Sequence, residues 1–502
     1  MHGGYVMNYT STRNDSLSVS SAYAIANGIS EEGGLFVPTD IPEVSAEFIE
    51  SLVPLTYIER ARKVLSLYLT DFTAEEIDAD TFGAYSTGFT HEKVAPLVNL
   101  HGNTNILELW HGPTCAFKDM ALQLLPYLLT SSAKKTADGK EIVILVATSG
   151  DTGKAALEGF KDVDGTRILV FYPSDGVSAM QKLQMTTQQG KNVGVCAIKG
   201  NFDDAQTGVK TIFTDPAVKA KLLSENMAFS SANSINWGRL VPQIVYYFSA
   251  YADMIASGQI KNGDKINFTV PTGNFGNILA AYYAMKMGLP VNKLICASNE
   301  NNVLTEFINT GRYNRVRQFH TTVSPSMDIL VSSNLERLIF HLSDKGSAET
   351  AELFGKLKED GEYTVSADML GKIQSVFSAG CCNDCETKKT IGETFSAHNY
   401  LLDPHTAVAV KVYNSYKEST GDTTPTVIVS TASPYKFTPA VLEGLGKSAG
   451  SSDEFDMIDA VVSHTGVPAP KKLTELKGAT PRFTQTVEKT EMEAVVLSML
   501  GI

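Results

Sequence analysis

The stretch HGPTCAFKDMALQLL (111–125) sets one lysine, Lys118, between a Gly-Pro turn and an apolar run. Gly112-Pro113 is turn chemistry, and Met120, Ala121, Leu122, Leu124 and Leu125 suit one face of a helix. A lysine at that boundary either snorkels to solvent or is kept reactive by desolvation, able to form a Schiff base. Three further stretches bear on the choice. ATSGDTGKAA (147–156) puts Gly150, Gly153 and the hydroxyls of Thr148, Ser149 and Thr152 beside an expected helix start, which suits a carboxylate or phosphate. It is not a Walker A loop: Thr148 stands where that motif needs its first glycine, and Ala155 where it needs Ser or Thr. In VPTGNFGNILAAYYA (270–284), Gly273 and Gly276 flank Asn274 and Phe275, and Asn277 opens a helix. That pattern is either a phosphate cradle of backbone N–H groups or a plain turn using Gly and Asn for their left-handed tolerance. VSTASPYKF (429–437) ends a strand with Thr431 and Ser433; one of them serves as a helix cap, and a projecting hydroxyl could reach a heterocyclic nitrogen. An amine for an aldehyde, a glycine-rich helix start for a phosphate and a hydroxyl for a ring nitrogen together suggest pyridoxal 5′-phosphate.

The elements that must carry these loops follow from the apolar pattern. Residues 1–95 are turn-rich at ISEEGGLFVP (29–38) and helical in spacing over 46–69, with an interruption near Pro54. From about residue 95, short apolar runs alternate with helix-length segments: NILELW (105–110), EIVILVA (141–147), TRILVFY (166–172), NVGVCAI (192–198), KINFTV (265–270), KLICAS (293–298) and TVIVS (426–430). Strands that are apolar throughout and separated by helices predict a parallel sheet covered on both faces, whose ligands bind beyond the carboxyl ends of the strands. TVIVS is far from the rest, which makes 301–420 a helix-rich insertion or satellite. The expected division is 1–95, an α/β core of 96–300 with 421–450, the insertion 301–420, and a C-terminal segment 451–502.

Composition excludes several classes. The chain has 502 residues, 43% hydrophobic and 19% charged, enough for more than one domain with a large core. Its 42 basic and 55 acidic residues give a net charge of −13, which argues against nucleic-acid or membrane surfaces as partners. No stretch approaches the roughly 20 apolar residues of a membrane helix, and MHGGYVMNYTSTRND has no apolar core of the secretory kind. Six cysteines for this length make no disulfide framework and fit a reducing, cytoplasmic setting. CCNDC (381–385) lacks a fourth ligand at zinc-like spacing, so no metal is expected.

The chain resembles the threonine synthase family, in its longer form, within the tryptophan-synthase-β-like group of pyridoxal-phosphate enzymes. The resemblance runs nearly end to end. STRNDSLSVSSAYAIANGISEEGGLFVP (11–38), the Lys118 motif, ATSGDTGKAA, NSINWGRLVPQIVYYF (233–248), PTGNFGNILAAYYA, SSNLERLIF (332–340), DPHTAVAV (403–410) and STASPYKF carry it, in order. One departure is NDCETKKTI (383–391), where the family leads one to expect a more acidic stretch at Cys385. The resemblance implies PLP fold type II, with parallel-sheet domains, an N-terminal segment and the insertion. It also implies conversion of O-phosphohomoserine and water to threonine and phosphate, as the last step of threonine biosynthesis.

It implies roles as well. Lys118 is the cofactor-bearing lysine and the mobile base; Gly273, Asn274, Phe275, Gly276 and Asn277 cradle the cofactor phosphate; Thr431 meets the pyridine nitrogen. For the substrate, Ser149, Gly150, Asp151 and Thr152 are assigned to the α-carboxylate side. Asp151 sits awkwardly there, its charge repelling a carboxylate, and capping the helix or orienting a neighbour is its alternative part. Asn233, Ser234 and Arg239 are assigned to the substrate phosphate, Arg for its planar fork of donors. A related phospho-lyase or dehydratase giving 2-oxobutyrate would share the cofactor loops, and a non-catalytic binding protein on the same fold is the alternative of another class. Oligomeric state is left open.

Overall fold

The computed structural model describes residues 6–136, 139–148, 150–175, 177–344, 346–448 and 450–502. It begins with three short antiparallel strands, β1 (Tyr9–Ser11), β2 (Asn14–Val19) and β3 (Phe36–Pro38), in the order β2-β1-β3. Helices Ala46–Leu52, Tyr57–Leu65 and Ala74–Tyr85 follow. The expected interruption near Pro54 falls between the first two, where Thr56 and Glu59 form a capping box that restarts the helix; Thr73 and Glu76 repeat the device for the third.

Further on come β4 (Leu97–His101), β5 (Thr104–Glu108), β6 (Glu141–Ala147), β7 (Thr166–Pro173), β8 (Val193–Lys199) and β9 (Met227–Ser230). They are followed by β10 (Ile266–Pro271), β11 (Val291–Ser298), the small antiparallel pair β12 (Arg312–Asn314) and β13 (Glu362–Thr364), β14 (Phe377–Cys381), β15 (Thr426–Ser430) and β16 (Thr486–Glu488). Two larger sheets result. One has the order β14-β11-β10-β15-β5-β4 and is parallel except for the edge strand β4; the other, β16-β8-β7-β6-β9, is parallel throughout. β5, β10 and β15 are buried along their whole length, as strands covered on both faces must be. In β15 the alternation is visible: Val427 and Val429 join the main core, whereas Ile428 packs with Ile106, Ile295, Ala407 and Val408.

The 301–420 stretch supplies more than a satellite. Its β14 extends the six-stranded sheet beside β11, and its helix Pro404–Thr420 covers that sheet through Ala407, Val408 and Val410. The C-terminal segment likewise belongs to the second sheet: β16 pairs with β8, and Met492 and Val496 of the helix Met492–Leu500 pack against Val143, Phe171 and Cys196.

Candidate active site

The lysine turn is closed from within. Asp119 accepts from the Thr114 N–H (2.8 Å) and the Thr114 hydroxyl (2.7 Å), and burial lifts its pKa to about 6 against those two bonds. Past the turn, residues 115–117 run antiparallel to an extension of β15: Phe117 N–H donates to Thr431 O (2.8 Å), and Ser433 N–H to Cys115 O (3.0 Å). Thr431 is thereby buried beside the lysine segment, and its hydroxyl takes no partner among the described residues.

Lys118 heads the helix Asp119–Leu122 with its side chain only 13% exposed. Its Nζ lies 3.3 Å from Ser326 Oγ, 3.9 Å from Asp151 Oδ2 and 5.4 Å from the Phe117 ring centre. Burial pulls its pKa below that of ordinary lysine; Asp151 opposes this, while Lys436 and Arg239 add to it. Such an amine is more often neutral, as a nucleophile or base must be.

The loop after β6 approaches from the other sheet. Gly150 has φ +144°, and a Cβ there would stand 2.4 Å from the Gln181 side chain, so glycine is required. Thr148 Oγ1 accepts from the N–H groups of Gly150 (3.0 Å) and Gly153 (2.9 Å), which closes the start of the helix Asp151–Phe160. That hydroxyl is therefore used internally. Asp151 Oδ1 lies 2.7 Å from Lys436 Nζ and accepts from Gln181 Nε2 (3.1 Å). Burial alone would raise its pKa, yet Lys436 and Lys118 hold it well below the usual carboxylate range. A carboxylate so held repels a second one. Asp151 is thus no donor to a substrate carboxylate, and it does not cap its helix; it orients Lys436 and Lys118. Thr152 is half-buried on the same turn, and Ser149 lies outside the described residues.

After β10 the chain passes close under a second loop. A Cβ on Gly273 would sit 2.8 Å from Ser326 O and 3.3 Å from Met327 Cα. The loop's carbonyls turn away, Gly273 O accepting from Ser332 Oγ (2.7 Å) and Asn274 O from the Asn334 N–H (3.1 Å). Phe275 takes φ +63° and no side chain caps the helix Gly276–Lys286, so its first N–H groups have no protein acceptor among the described residues. Asn277 gives its side-chain carbonyl to Tyr246 (2.5 Å) and Tyr247 (2.6 Å), leaving Nδ2 buried without a partner. Uncapped N–H groups at a helix start and an orphaned amide fit a phosphate. With a dry amine and a free hydroxyl beside them, these residues fit pyridoxal 5′-phosphate.

The third group is the loop 232–239. Arg239, 4% exposed, donates from Nη1 to Ala232 O (2.7 Å), while among the described residues its buried Nε has no partner and no carboxylate pairs with it; burial lowers its pKa to about 10. Arg337, fully buried, bonds to Phe36 O, Ile235 O and the Asn334 side chain. Asn334 in turn bonds Ser234 O (3.1 Å) and, through its N–H, Asn274 O. It ties the Asn233–Ser234 loop to the cofactor loop. Asn233 itself is exposed, its Oδ1 accepting from the Ser234 N–H (3.0 Å).

The six-stranded sheet thus carries the lysine, the 273–277 loop and Thr431, and Arg239's charge reaches the same amine. Sequence reasoning missed Lys436, Ser326, Asn334, Arg337 and His405. All but Ser326 fall in motifs quoted above, which marked the segments without marking the side chains. All six cysteines are free, Cys381 and Cys385 exposed and Cys382 buried; no group of three metal-capable side chains occurs among the described residues.

Three families match the chain: "Threonine synthase N terminus" over residues 8–85, "Pyridoxal-phosphate dependent enzyme" over 90–353 and "Threonine synthase, C-terminal" over 406–496. Threonine synthase of Pseudomonas aeruginosa is 40% identical over 447 residues, which span 88% of this chain and 91% of that protein. Threonine synthase-like 1 of Homo sapiens is 42% identical over 84% of this chain, but the match spans only 57% of its length. The crystal structure of PLP-bound threonine synthase from Brucella melitensis superposes with a TM-score of 0.88 at 37% identity, covering 98% of this chain and 99% of the other.

Proposed function

The chain belongs to the threonine synthase family, and from that premise we propose that it converts O-phosphohomoserine and water to threonine and phosphate. The observation that carries the reading is Arg239: a buried guanidinium with an unpartnered Nε and no carboxylate partner among the described residues, close enough to Lys118 to lower its pKa. A buried cation without a counter-ion calls for an anionic ligand, and a substrate phosphate supplies one.

Lys118 would hold the aldehyde carbon of pyridoxal 5′-phosphate, residues 273–277 its phosphate and Thr431 its ring nitrogen. When bound, the cofactor supplies the electron sink that makes the α and β protons of an amino acid removable. The chain's residues do the rest. Lys118 Nζ, dry and readily neutral, takes a proton from the substrate carbon and returns it. Ser326 Oγ fixes the direction of that amine, and Asp151 stabilises its charged form, against Lys436, without a mobile counter-ion. Arg239, with Asn233 and Ser234 on the same loop, binds the departing phosphate. Thr431 offers a neutral hydroxyl, so it polarises the ring less than a carboxylate would.

Six free cysteines fit a reducing compartment, and a cytoplasmic location is part of the proposal. No helix among the described residues is long and apolar enough to cross a membrane. Borohydride reduction followed by peptide mapping should place the label on Lys118. Incubation with O-phosphohomoserine should release threonine and phosphate in equal amounts; accumulation of 2-oxobutyrate instead would overturn the assignment.

A further inference from the structure

Ser326, which meets the Lys118 amine, is held by a group far away in the chain. Its N–H donates to His405 Nε2 (3.1 Å), and His405 Nδ1 lies 2.9 Å from Asp403 Oδ1. Because Nε2 faces an N–H, it is the acceptor, so the ring proton sits on Nδ1 and donates to Asp403. Asp403 also caps the helix Pro404–Thr420 and accepts from the Thr406 hydroxyl, which fixes its carboxylate in place. His405 is 2% exposed and packs its ring edge-on against Phe437 at 4.9 Å.

The same turn does two things at the site. The Ser326 hydroxyl reaches Lys118 Nζ at 3.3 Å, and the Ser326 carbonyl runs close under Gly273, in the cofactor loop. The flanks of the turn are anchored independently: Asn299 Nδ2 bonds Thr322 Oγ1 (2.9 Å), Ser324 Oγ (3.0 Å) and Asp328 Oδ1 (2.7 Å), and the Val323 N–H bonds the Asp384 carboxylate (3.2 Å). His405 is the side chain bonded at the tip, where the position of Ser326 is decided.

We propose that His405 is a positioning residue: through the Ser326 N–H it fixes the turn Pro325–Met327, whose hydroxyl steadies the Lys118 amine and whose backbone bounds the cofactor loop. The inference rests on the function proposed above. It separates two contributions, one of the Ser326 N–H to cofactor affinity and one of the Ser326 hydroxyl to rate.

The test compares wild type, Ser326→Ala, His405→Leu and His405→Gln in the full chain. Cofactor dissociation constants are read by absorbance titration of the cofactor-free protein, and kcat and KM with O-phosphohomoserine. Glutamine can place its Oε1 where Nε2 stands, and leucine cannot. His405→Leu should weaken cofactor binding about tenfold, the usual cost of one lost acceptor at a buried N–H. His405→Gln should return it to within about threefold of wild type on the same footing. Ser326→Ala keeps the N–H, so affinity should hold while kcat falls about tenfold at nearly unchanged KM, the cost of one lost hydrogen bond that orients the amine. Equal affinities for the leucine and glutamine variants, both folded by circular dichroism, would overturn the role of His405. An unchanged kcat in Ser326→Ala would overturn that of the hydroxyl. A wild type that binds the cofactor yet makes no threonine would instead sink the function proposed above, with the affinity comparison still standing.

Discussion

Arg60 and Arg239 are two buried guanidiniums in opposite circumstances. Arg60, on the helix Tyr57–Leu65, is 5% exposed and bonded at every nitrogen: Nε donates to Leu52 O (2.9 Å), Nη2 to Val53 O (3.1 Å), and Nη1 to Ser249 Oγ (2.8 Å) and Asp253 Oδ1 (2.7 Å). Arg239 is equally buried, with one carbonyl partner and an orphaned Nε. Both cost desolvation; only the first meets a carboxylate among the described residues. Arg60 joins the N-terminal helices to the core helix Trp237–Ala256, whereas Arg239, at the start of that same helix, keeps in the function proposed here a charge for the substrate phosphate. One is scaffold; the other, in that proposal, is site.

Four changes would break or sharpen that contrast. The largest effect belongs to the amine itself: Lys118→Ala should lower turnover by about 10³-fold or more, with borohydride labelling lost, as removal of a nucleophile and base requires. Arg60→Met should cost about 3 kcal/mol in denaturant unfolding, because it removes the close partner of the buried Asp253 carboxylate (2.7 Å) and leaves only the exposed Lys93 amine at 3.8 Å. Arg239→Met should do the reverse: unchanged or raised thermal midpoint, but kcat/KM for the phosphorylated substrate down about 100-fold, the worth of a charged fork on phosphate. A destabilised Arg239→Met with normal kcat/KM would erase the distinction. The smallest effect is on pH. Lys118 is active when deprotonated, and burial already lowers its pKa, with Asp151 as an opposing influence. Asp151→Asn removes that opposition, so the rise of cofactor uptake with pH should move to lower pH; stopped-flow absorbance across a pH series checks the direction.

Much of this arrangement was legible in advance. EIVILVA and TVIVS are strands with the expected bounds because continuous apolar runs of that length have few other uses. The glycines of 150 and 273 declared themselves through loops that must approach other groups closely. β14 did not, since FSAGC is short and mixes Ser and Gly into a strand paired on one side only. The separation into two sheets was hidden too, because every strand reads alike until pairing is known. Ser326 and His405 are the deepest omission. Lys118 and Ser326 are 208 residues apart, and His405 another 79 beyond, so no local pattern joins them.

The lysine segment is bonded to the extension of β15, from which Lys436 also comes, while Asp151 follows β6 in the other sheet. A single carboxylate therefore spans the gap between the two sheets at this point, facing a lysine amine at each oxygen. Any widening of that gap strips two amines of their shared counter-charge at once.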